Sequence, residues 1–415
     1  MKPMRVLLIS ASALALAACG ASSSDSKSLS LAGVKRANTY TTSDQQYPAV
    51  ARNNHGQSVV VWESLFQDGS GLGVYGQRFL NGAPAGGEFR VNTYTTNRQN
   101  LPAVAMDDAG NFVVVWRSSQ EDGDGGTIYG QRFGADGSKL GAEFQIGPGD
   151  SQYDSQSDPA VAMNASGQFV VAWSNRELSQ AAASLGDNGI ESRVIQARVY
   201  AADGSSSLLG VQNVIEKTMQ AVVRAPAVGI DAAGNYVVAF MSDGSPNGVR
   251  ARRFNALGVP LGLAFAVNAA RDDASQDQPA LAMDPSGNFV IGWESVYYTG
   301  KPDGIYLKAY DAGGNVLRDE VRLSSPGSGL GVRAALSINA SGQLLVVGQN
   351  DDAVSVQRVD ADGHARGDAA QVSQSAPSLF GAVALDDNGT ATVAWHSFGA
   401  DGDGRGVYVR ELNFQ

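Results

Sequence analysis

The chain has 415 residues with a formal net charge of −11, 43% hydrophobic residues, 17% charged residues and 50 glycines. An acidic protein repels phosphate backbones, which argues against a nucleic-acid partner. The single cysteine, Cys19, excludes an intramolecular disulfide, and three histidines with no other cysteine argue against a zinc centre. Many glycines and few charges favour an all-β protein rich in tight turns.

The N-terminal 18 residues have the pattern of a secretory signal. Lys2 and Arg5 precede an uncharged stretch, residues 6–18, that is too short to span a bilayer as a helix. The stretch ends in Leu-Ala-Ala-Cys-Gly, which resembles the bacterial lipobox, with Cys19 as the residue that is lipidated. An ordinary signal peptide with a chance cysteine is the alternative.

The lipobox resemblance implies a location. In that family an Asp after the cysteine retains the protein in the inner membrane, and Gly20 at this position implies the outer membrane. Lipid attached to Cys19 would anchor the chain stably. The predicted organisation is a signal peptide (1–18), a Ser-rich flexible tether (19–30) and one folded domain (31–415).

One phrase recurs, with substitutions, in seven copies through the rest of the chain. It consists of Pro-Ala-Val-Ala, a turn that ends in Gly, several β-forming residues and then Trp. The turn glycines supply the positive φ that a tight hairpin requires. These glycines are Gly56, Gly110, Gly167, Gly234, Gly287, Gly342 and Gly389.

All tryptophans fall at one position of this repeat, which predicts a structural role as core between repeats. A ring-stacking role towards a quinone or a sugar is the alternative. The five residues are Trp62, Trp116, Trp173, Trp293 and Trp395, and Phe240 and Gly348 hold the position in the other copies.

Two further strands follow each tryptophan, so each copy is predicted to be a four-stranded antiparallel meander. The last copy ends after its third strand. Residues 33–42 repeat residues 87–96, the fourth strand of the first copy, but have no blade of their own. We therefore expect the N-terminal strand to complete the last blade and close a ring, which removes two open sheet edges.

This repeat pattern resembles that of seven-bladed β-propellers of bacterial surface and periplasmic proteins. The resemblance covers residues 31–415 and implies an all-β propeller that is a monomeric ring. It names no function, because propellers serve many functions.

The face that carries the long 2–3 loops and the inter-blade loops is predicted to be the functional one. It is acidic, and Asp122 with Asp124 and Asp401 with Asp403 alternate with glycine, a spacing that can surround a hard cation. Calcium is therefore a candidate ligand, against the alternative of solvated turns without any cofactor. The third copy has the largest insertion, residues 174–192. It is either a mobile lid or contact loop, or an insertion without a function that arose by neutral drift.

The third strands carry recurring arginines that are predicted to form a structural ladder along the blades: Arg78, Arg132, Arg198, Arg253 and Arg358. No nucleophile elbow and no sialidase Asp-box occurs, and His396 beside Trp395 predicts no catalytic group by itself. The sequence favours a membrane-anchored module that binds or scaffolds an envelope protein or a glycan. A propeller hydrolase or lyase with a polar site on the acidic face is the alternative.

Overall fold

The computed structural model describes residues 29–119, 126–148, 154–178, 191–215, 222–244, 248–269, 274–297, 304–323, 332–350, 352–360, 363–374 and 377–414. Cys19, Asp122 and Asp124 lie outside these residues. The described chain is all β and contains no helix. None of the described segments is therefore a helix that could span a membrane.

Thirty strands form seven sheets arranged as blades around a central channel, which confirms the predicted propeller. The N-terminal strands are β1 (Leu29–Leu31) and β2 (Lys35–Arg36). Blade 1 has β3 (Gln45–Arg52), β4 (Gln57–Leu65), β5 (Leu72–Leu80), β6 (Ala83–Pro84) and β7 (Phe89–Arg90). Blade 2 has β8 (Gln99–Met106), β9 (Phe112–Ser119), β10 (Gly126–Phe133) and β11 (Phe144–Gln145). Blade 3 has β12 (Asp154–Met163), β13 (Phe169–Leu178), β14 (Glu191–Tyr200) and β15 (Gln212–Asn213).

The remaining four blades follow the same order. Blade 4 has β16 (Val223–Ile230), β17 (Tyr236–Ser242), β18 (Gly248–Phe254) and β19 (Phe265–Ala266). Blade 5 has β20 (Ala274–Met283), β21 (Phe289–Tyr297), β22 (Gly304–Tyr310) and β23 (Val316–Arg322). Blade 6 has β24 (Val332–Ile338), β25 (Leu344–Asn350), β26 (Ala353–Val359) and β27 (Ala365–Gln371). Blade 7 has β28 (Ser378–Leu385), β29 (Thr390–Phe398) and β30 (Arg405–Phe414).

The hairpin between the first two strands of each blade is built around the predicted turn glycine. All seven glycines have φ between 77° and 90°, a conformation that side chains with a Cβ rarely adopt. In blade 2 the Asp107 carboxylate accepts the backbone N–H of Asn111 at 2.7 Å and its side-chain amide at 2.8 Å. These contacts explain why the repeat keeps an Asx residue at the start of the turn and glycine near its end.

The tryptophans form the core between neighbouring blades, as the repeat predicts. Each of the five has a relative exposure of 0% or 1%, and Phe240 at the same position is equally buried. In blade 2, Trp116 packs with the buried valines of β4 and β5 from blade 1. Rings with no exposed face are not available to stack on a ligand, so the alternative role of these tryptophans is excluded.

The ring closes through the N-terminal segment. β1 and β2 both pair antiparallel with β30, with Leu29 opposite Phe414 and Lys35 opposite Val409. Among the described residues this pairing includes Leu29 and Ser30, which precede Leu31, the predicted first residue of the domain. The pairs occupy the outer edge of blade 7 and supply its missing fourth strand.

The likeness between residues 33–42 and residues 87–96 extends to individual hydrogen bonds. Asn92 Oδ1 accepts the N–H of Val74 in its own blade at 2.8 Å, and Asn38 Oδ1 accepts the N–H of Val407 at the same distance. The amide of Asn38 also donates to Gln45 of blade 1 at 3.2 Å. Asn38 therefore links the last blade to the first.

Four of the five recurring arginines donate hydrogen bonds to backbone carbonyls of a neighbouring blade, from two different positions in the third strand. Arg78 donates to the carbonyl of Ala135 at 2.8 Å, and Arg132 and Arg253 likewise reach the turn between the third and fourth strands of the next blade. Arg198 lies one position earlier in its strand and donates instead to Ile146 of the preceding blade at 3.0 Å. The prediction of a single ladder is wrong for Arg198, because identical spacing in sequence does not guarantee identical register.

Candidate functional site

The mouth of the channel on the long-loop face is surrounded by a ring of seven backbone bulges. The first strand of every blade shifts register near its start, where one residue is left unpaired. This residue has φ between 51° and 58° although none is glycine. The seven are Tyr47, Leu101, Asp158, Ala225, Gln278, Arg333 and Phe380. A left-handed conformation costs of order 1 kcal/mol for such residues, and strain of this kind concentrates at functional sites.

Three of the bulges are held by the preceding blade through one equivalent position, the residue after the tryptophan position of the second strand. Glu63 accepts the N–H of Leu101 at 2.7 Å, Gln349 accepts that of Phe380 at 3.0 Å, and His396 Nδ1 accepts that of Tyr47 at 3.2 Å. An acceptor from one blade thus satisfies an amide that the bulge in the next blade leaves unpaired.

The seven bulged residues and the residues that follow them line a cavity of about 350 Å³ at the mouth. One side is aromatic and cationic: the rings of Tyr47 and Phe380 meet edge to face with centroids 4.6 Å apart. The guanidinium of Arg333 lies 4.3 Å from the centre of the Phe380 ring. The other side presents the Asp158 carboxylate and the exposed amide of Gln278. The mouth therefore joins a flat apolar surface to hydrogen-bonding groups.

Glu63 supports this mouth from a buried position. Its side chain is 2% exposed, and burial raises the pKa of its carboxyl to about 6, although hydrogen bonds from Leu101 and Gln46 and the charge of Arg98 oppose the shift. Since the folded pKa exceeds the unfolded value of 4.5, ionisation opposes folding. The penalty is absent below the unfolded pKa and fully present above about pH 6.

We expect Glu63→Gln to be more stable than the wild type at about pH 7 by about 2 kcal/mol, a difference that disappears near pH 4. Glutamine keeps the acceptor for Leu101 and lacks the charge, as Gln349 already does for Phe380. Urea unfolding across this pH range measures the effect. Gln349→Glu is the matched control and should lose stability at neutral pH. A Glu63→Gln protein that is less stable at neutral pH would contradict the assignment.

His396 is a structural acceptor. It is 2% exposed, and burial, with a smaller contribution from Arg405, lowers its pKa to about 4. Its Nδ1 accepts the N–H of Tyr47, and its ring stacks on Phe380 at a centroid distance of 5.3 Å. A neutral buried imidazole fixed in this way orients the two aromatic residues of the mouth and does not reach the cavity surface.

The predicted cation loop at Asp401 and Asp403 lies at the seam where the ring closes. Asp401 accepts a hydrogen bond from the Asn38 amide at 3.2 Å, and Asp403 accepts the N–H of Ser43 at 3.0 Å. Arg405 next to them pairs with Asp44 at 2.9 Å. The described residues contain no group of three or more His, Cys, Asp or Glu side chains placed to hold a metal ion.

Other acidic residues of this face also have protein partners. Asp277 pairs with Arg224 at 2.7 Å, and Asp68 accepts the N–H of Ser70 at 3.3 Å. Asp158 accepts a hydrogen bond from the Ser174 hydroxyl at 3.2 Å, yet it lines the cavity. Residues 179–190 of the large insertion lie outside the described part, and the flanking strands β13 and β14 pair up to Leu178 and Glu191.

Sequence reasoning did not find the bulged residues of the mouth. Five of them directly precede the proline of the recurring phrase, and each copy has a different residue there. A variable residue beside a constant proline was the available signal. This variable position could not be recognised as part of a site from the sequence alone, because only the bulge turns its side chain towards the channel.

No protein-family model and no curated protein matches the chain. Solved structures match in fold. The polysaccharide lyase Uly1 has 13% identity and a TM-score of 0.57, over 88% of this chain and 90% of its own. An ulvan lyase of family PL25 has 12% identity and a TM-score of 0.50, over 78% and 80%. The α-L-arabinanase of Penicillium chrysogenum complexed with arabinobiose has 12% identity and a TM-score of 0.48, over 76% and 94%. At these identities the likeness concerns the propeller fold.

Proposed function

We propose that this protein is a lipid-anchored envelope propeller that binds a glycan at the channel mouth of its long-loop face. One observation carries the proposal: the mouth combines the Tyr47 and Phe380 rings with a guanidinium, a carboxylate and an amide. Sugar rings have apolar C–H faces that pack on aromatic rings, and hydroxyl groups that need polar partners. Two propellers of similar fold are polysaccharide lyases, which supports a glycan as the class of ligand.

Binding is favoured over catalysis by the groups available in the cavity. Among the described residues that line it, Asp158 is the one carboxylate, and no histidine, lysine or tyrosine other than Tyr47 lines it. General acid–base chemistry on a glycosidic bond ordinarily uses two positioned groups. A strained but firmly supported ring suits a preorganised binding surface.

The binding test uses alanine at the two aromatic positions. Ala225 occupies the same bulge position in blade 4 with φ of 51°, so Tyr47→Ala and Phe380→Ala should keep the fold. A panel of neutral and acidic polysaccharides that includes ulvan identifies the strongest binder, and calorimetric titration measures its affinity. Each variant should weaken binding at least about tenfold.

Phe66→Ala is the matched control, because Phe66 is an aromatic with positive φ on the same face but outside the cavity, with 57% exposure. Its affinity should equal that of the wild type. Absence of binding across the whole panel, or equal loss in all three variants, would refute a glycan site at the mouth.

A lyase is the second candidate, and the fold likeness to two polysaccharide lyases is the observation that favours it. It predicts release of unsaturated sugar ends, detected by ultraviolet absorbance, from a polysaccharide that the protein binds. Asp158→Asn should then abolish the product while binding persists. Binding with no product for any bound polysaccharide favours the binding module.

The proposed anchor is tested at Cys19. In bacteria, Cys19→Ser should abolish incorporation of labelled palmitate and move the protein from the detergent phase to the aqueous phase of a phase-separation assay. Ser22→Ala in the same segment should change neither. Equal partitioning of Cys19→Ser and the wild type would contradict lipidation at this residue.

A further inference from the structure

A second cavity, separate from the channel, lies in the interface between blades 5 and 6. It has a volume of about 140 Å³, and its apolar lining includes Leu307, Val321, Ile338 and Leu344. It is far from the bulged residues in every blade, since it lies near the turns Gly342 and Gly363 on the opposite face. The proposed glycan site does not use it.

Three other interfaces show which side chains fill this space elsewhere in the ring. In blade 2 the rings of Phe112 and Phe133 stack at 4.8 Å, and Phe89 of the preceding blade packs on Phe133 at 5.5 Å. Equivalent clusters join Phe144 to Tyr200 at 5.6 Å and Phe265 to Tyr310 at 5.5 Å. These are aromatic rings that the chain itself supplies.

Between blades 5 and 6 each of these positions holds an aliphatic residue instead of an aromatic one. Leu307 fills part of the space, because it stands where Gly76 faces Phe89 in blade 1. Leu344 and Val359 pair where the stacked rings stand in blade 2, and Val321 replaces the Phe of the preceding blade. Ala309 also stands at the position that Arg78 has in blade 1. The side chain of Arg78 covers a turn of the next blade at Ala135, and Ala309 is too short to do the same. The cavity therefore occupies the space that the missing aromatic side chains leave, and it is partly open to solvent beside the exposed Leu317.

The charges around the cavity balance. Lys308 and Arg318 line it together with Asp284 and Asp360, and Lys308 already pairs with Asp319 at 3.0 Å. Asp360 pairs with Arg366 at 3.0 Å. A charged ligand would gain no net attraction here, whereas an uncharged ring would bury apolar surface against the aliphatic part of the lining.

We propose that the blade 5–6 cavity binds a free, uncharged, single-ring aromatic compound. A protein cavity of about 150 Å³ accepts one benzene molecule, so the volume of this cavity suits a single ring. The ligand would complete an aromatic cluster of the kind that three other interfaces build from side chains.

The test is fluorine NMR titration of the full chain with fluorobenzene as the probe. The wild type should show saturable binding with a dissociation constant of the order of 1 mM or tighter. Leu344→Phe restores the ring found at Phe112 and should weaken binding at least tenfold while raising the melting temperature. Val321→Phe restores the ring found at Phe89 and should likewise weaken binding and raise the melting temperature. It replaces the first variant in the test if Leu344→Phe does not fold.

Leu263→Phe is the matched control. It makes the same leucine-to-phenylalanine change at a surface position, since Leu263 is 86% exposed. It should bind fluorobenzene as the wild type does. A folded wild type without saturable binding would overturn the proposal, as would unchanged affinity in a folded Leu344→Phe or Val321→Phe protein. Whether the channel mouth binds a polysaccharide does not affect the outcome of the fluorobenzene titration, so the two proposals can fail independently.

Discussion

Deletion of residues 29–42 is expected to abolish cooperative folding and to cause aggregation at room temperature. The deletion removes β1 and β2 and leaves the outer edge of β30 open along Tyr408 to Phe414. It also removes buried Ala37 and the Asn38 bonds to Val407 and Gln45. An open strand edge and an unclosed ring both favour association with other chains. Calorimetry and size-exclusion chromatography measure the result.

A permuted chain is the control for this deletion. Residues 29–42 are moved behind Phe414 through a short Gly-Ser linker, which is feasible because Leu29 pairs directly with Phe414. The permuted blade 7 then has the same strand order as the others and should recover cooperative unfolding. A deletion protein that unfolds like the parent, or a permuted chain that stays aggregated, would contradict closure by this segment.

The second large effect is expected at Arg52. Its side chain is 4% exposed and binds Asp386 of blade 7 at 2.8 Å and Glu411 at 2.7 Å. The other blades have Met, Ile or Leu at this position, as in Met106 and Leu385. The charged residue thus occurs where the first blade meets the last. Removing one member of a buried ion pair leaves an uncompensated charge and costs about 3–5 kcal/mol.

Arg52→Met should therefore lower the free energy of unfolding by about 3–5 kcal/mol in urea titrations, despite restoring the residue type of blade 2. The double variant Arg52→Met/Glu411→Leu should recover part of that loss, since it removes one of the stranded carboxylates. Asp319→Asn, which breaks the exposed pair with Lys308, should leave the melting temperature unchanged. Equal effects of the buried and exposed changes would contradict a special role for Arg52.

Much of the architecture could be predicted from the sequence because the signals are local and repeated. Turn glycines, a Trp position and alternating strands define the meander. The extra fourth strand at the N-terminal end and the missing fourth strand of the last copy define the closure. Burial of the tryptophans was predictable for the same reason. The Arg198 prediction failed because strand register depends on pairing partners, which periodicity does not specify.

The candidate site could not be found in this way. Sequence reasoning emphasised Asp401 and Asp403, which contact Asn38 and Ser43 at the closure seam, and their role in binding a cation stays a prediction. The mouth residues Tyr47 and Phe380 are more than 330 positions apart in the chain. Only the closed ring brings their rings within 4.6 Å of each other.

The sequence by itself thus determined the repeat, the number of blades and the way the ring closes, because each depends on short-range patterns that hydrophobic burial and turn geometry enforce. Only the tertiary structure decided which side chains face the channel and which interface is incompletely filled. Both depend on bulges and on packing between residues from different blades. In such contacts the partner of a residue, rather than its own type, determines whether it supports the fold or lines a cavity.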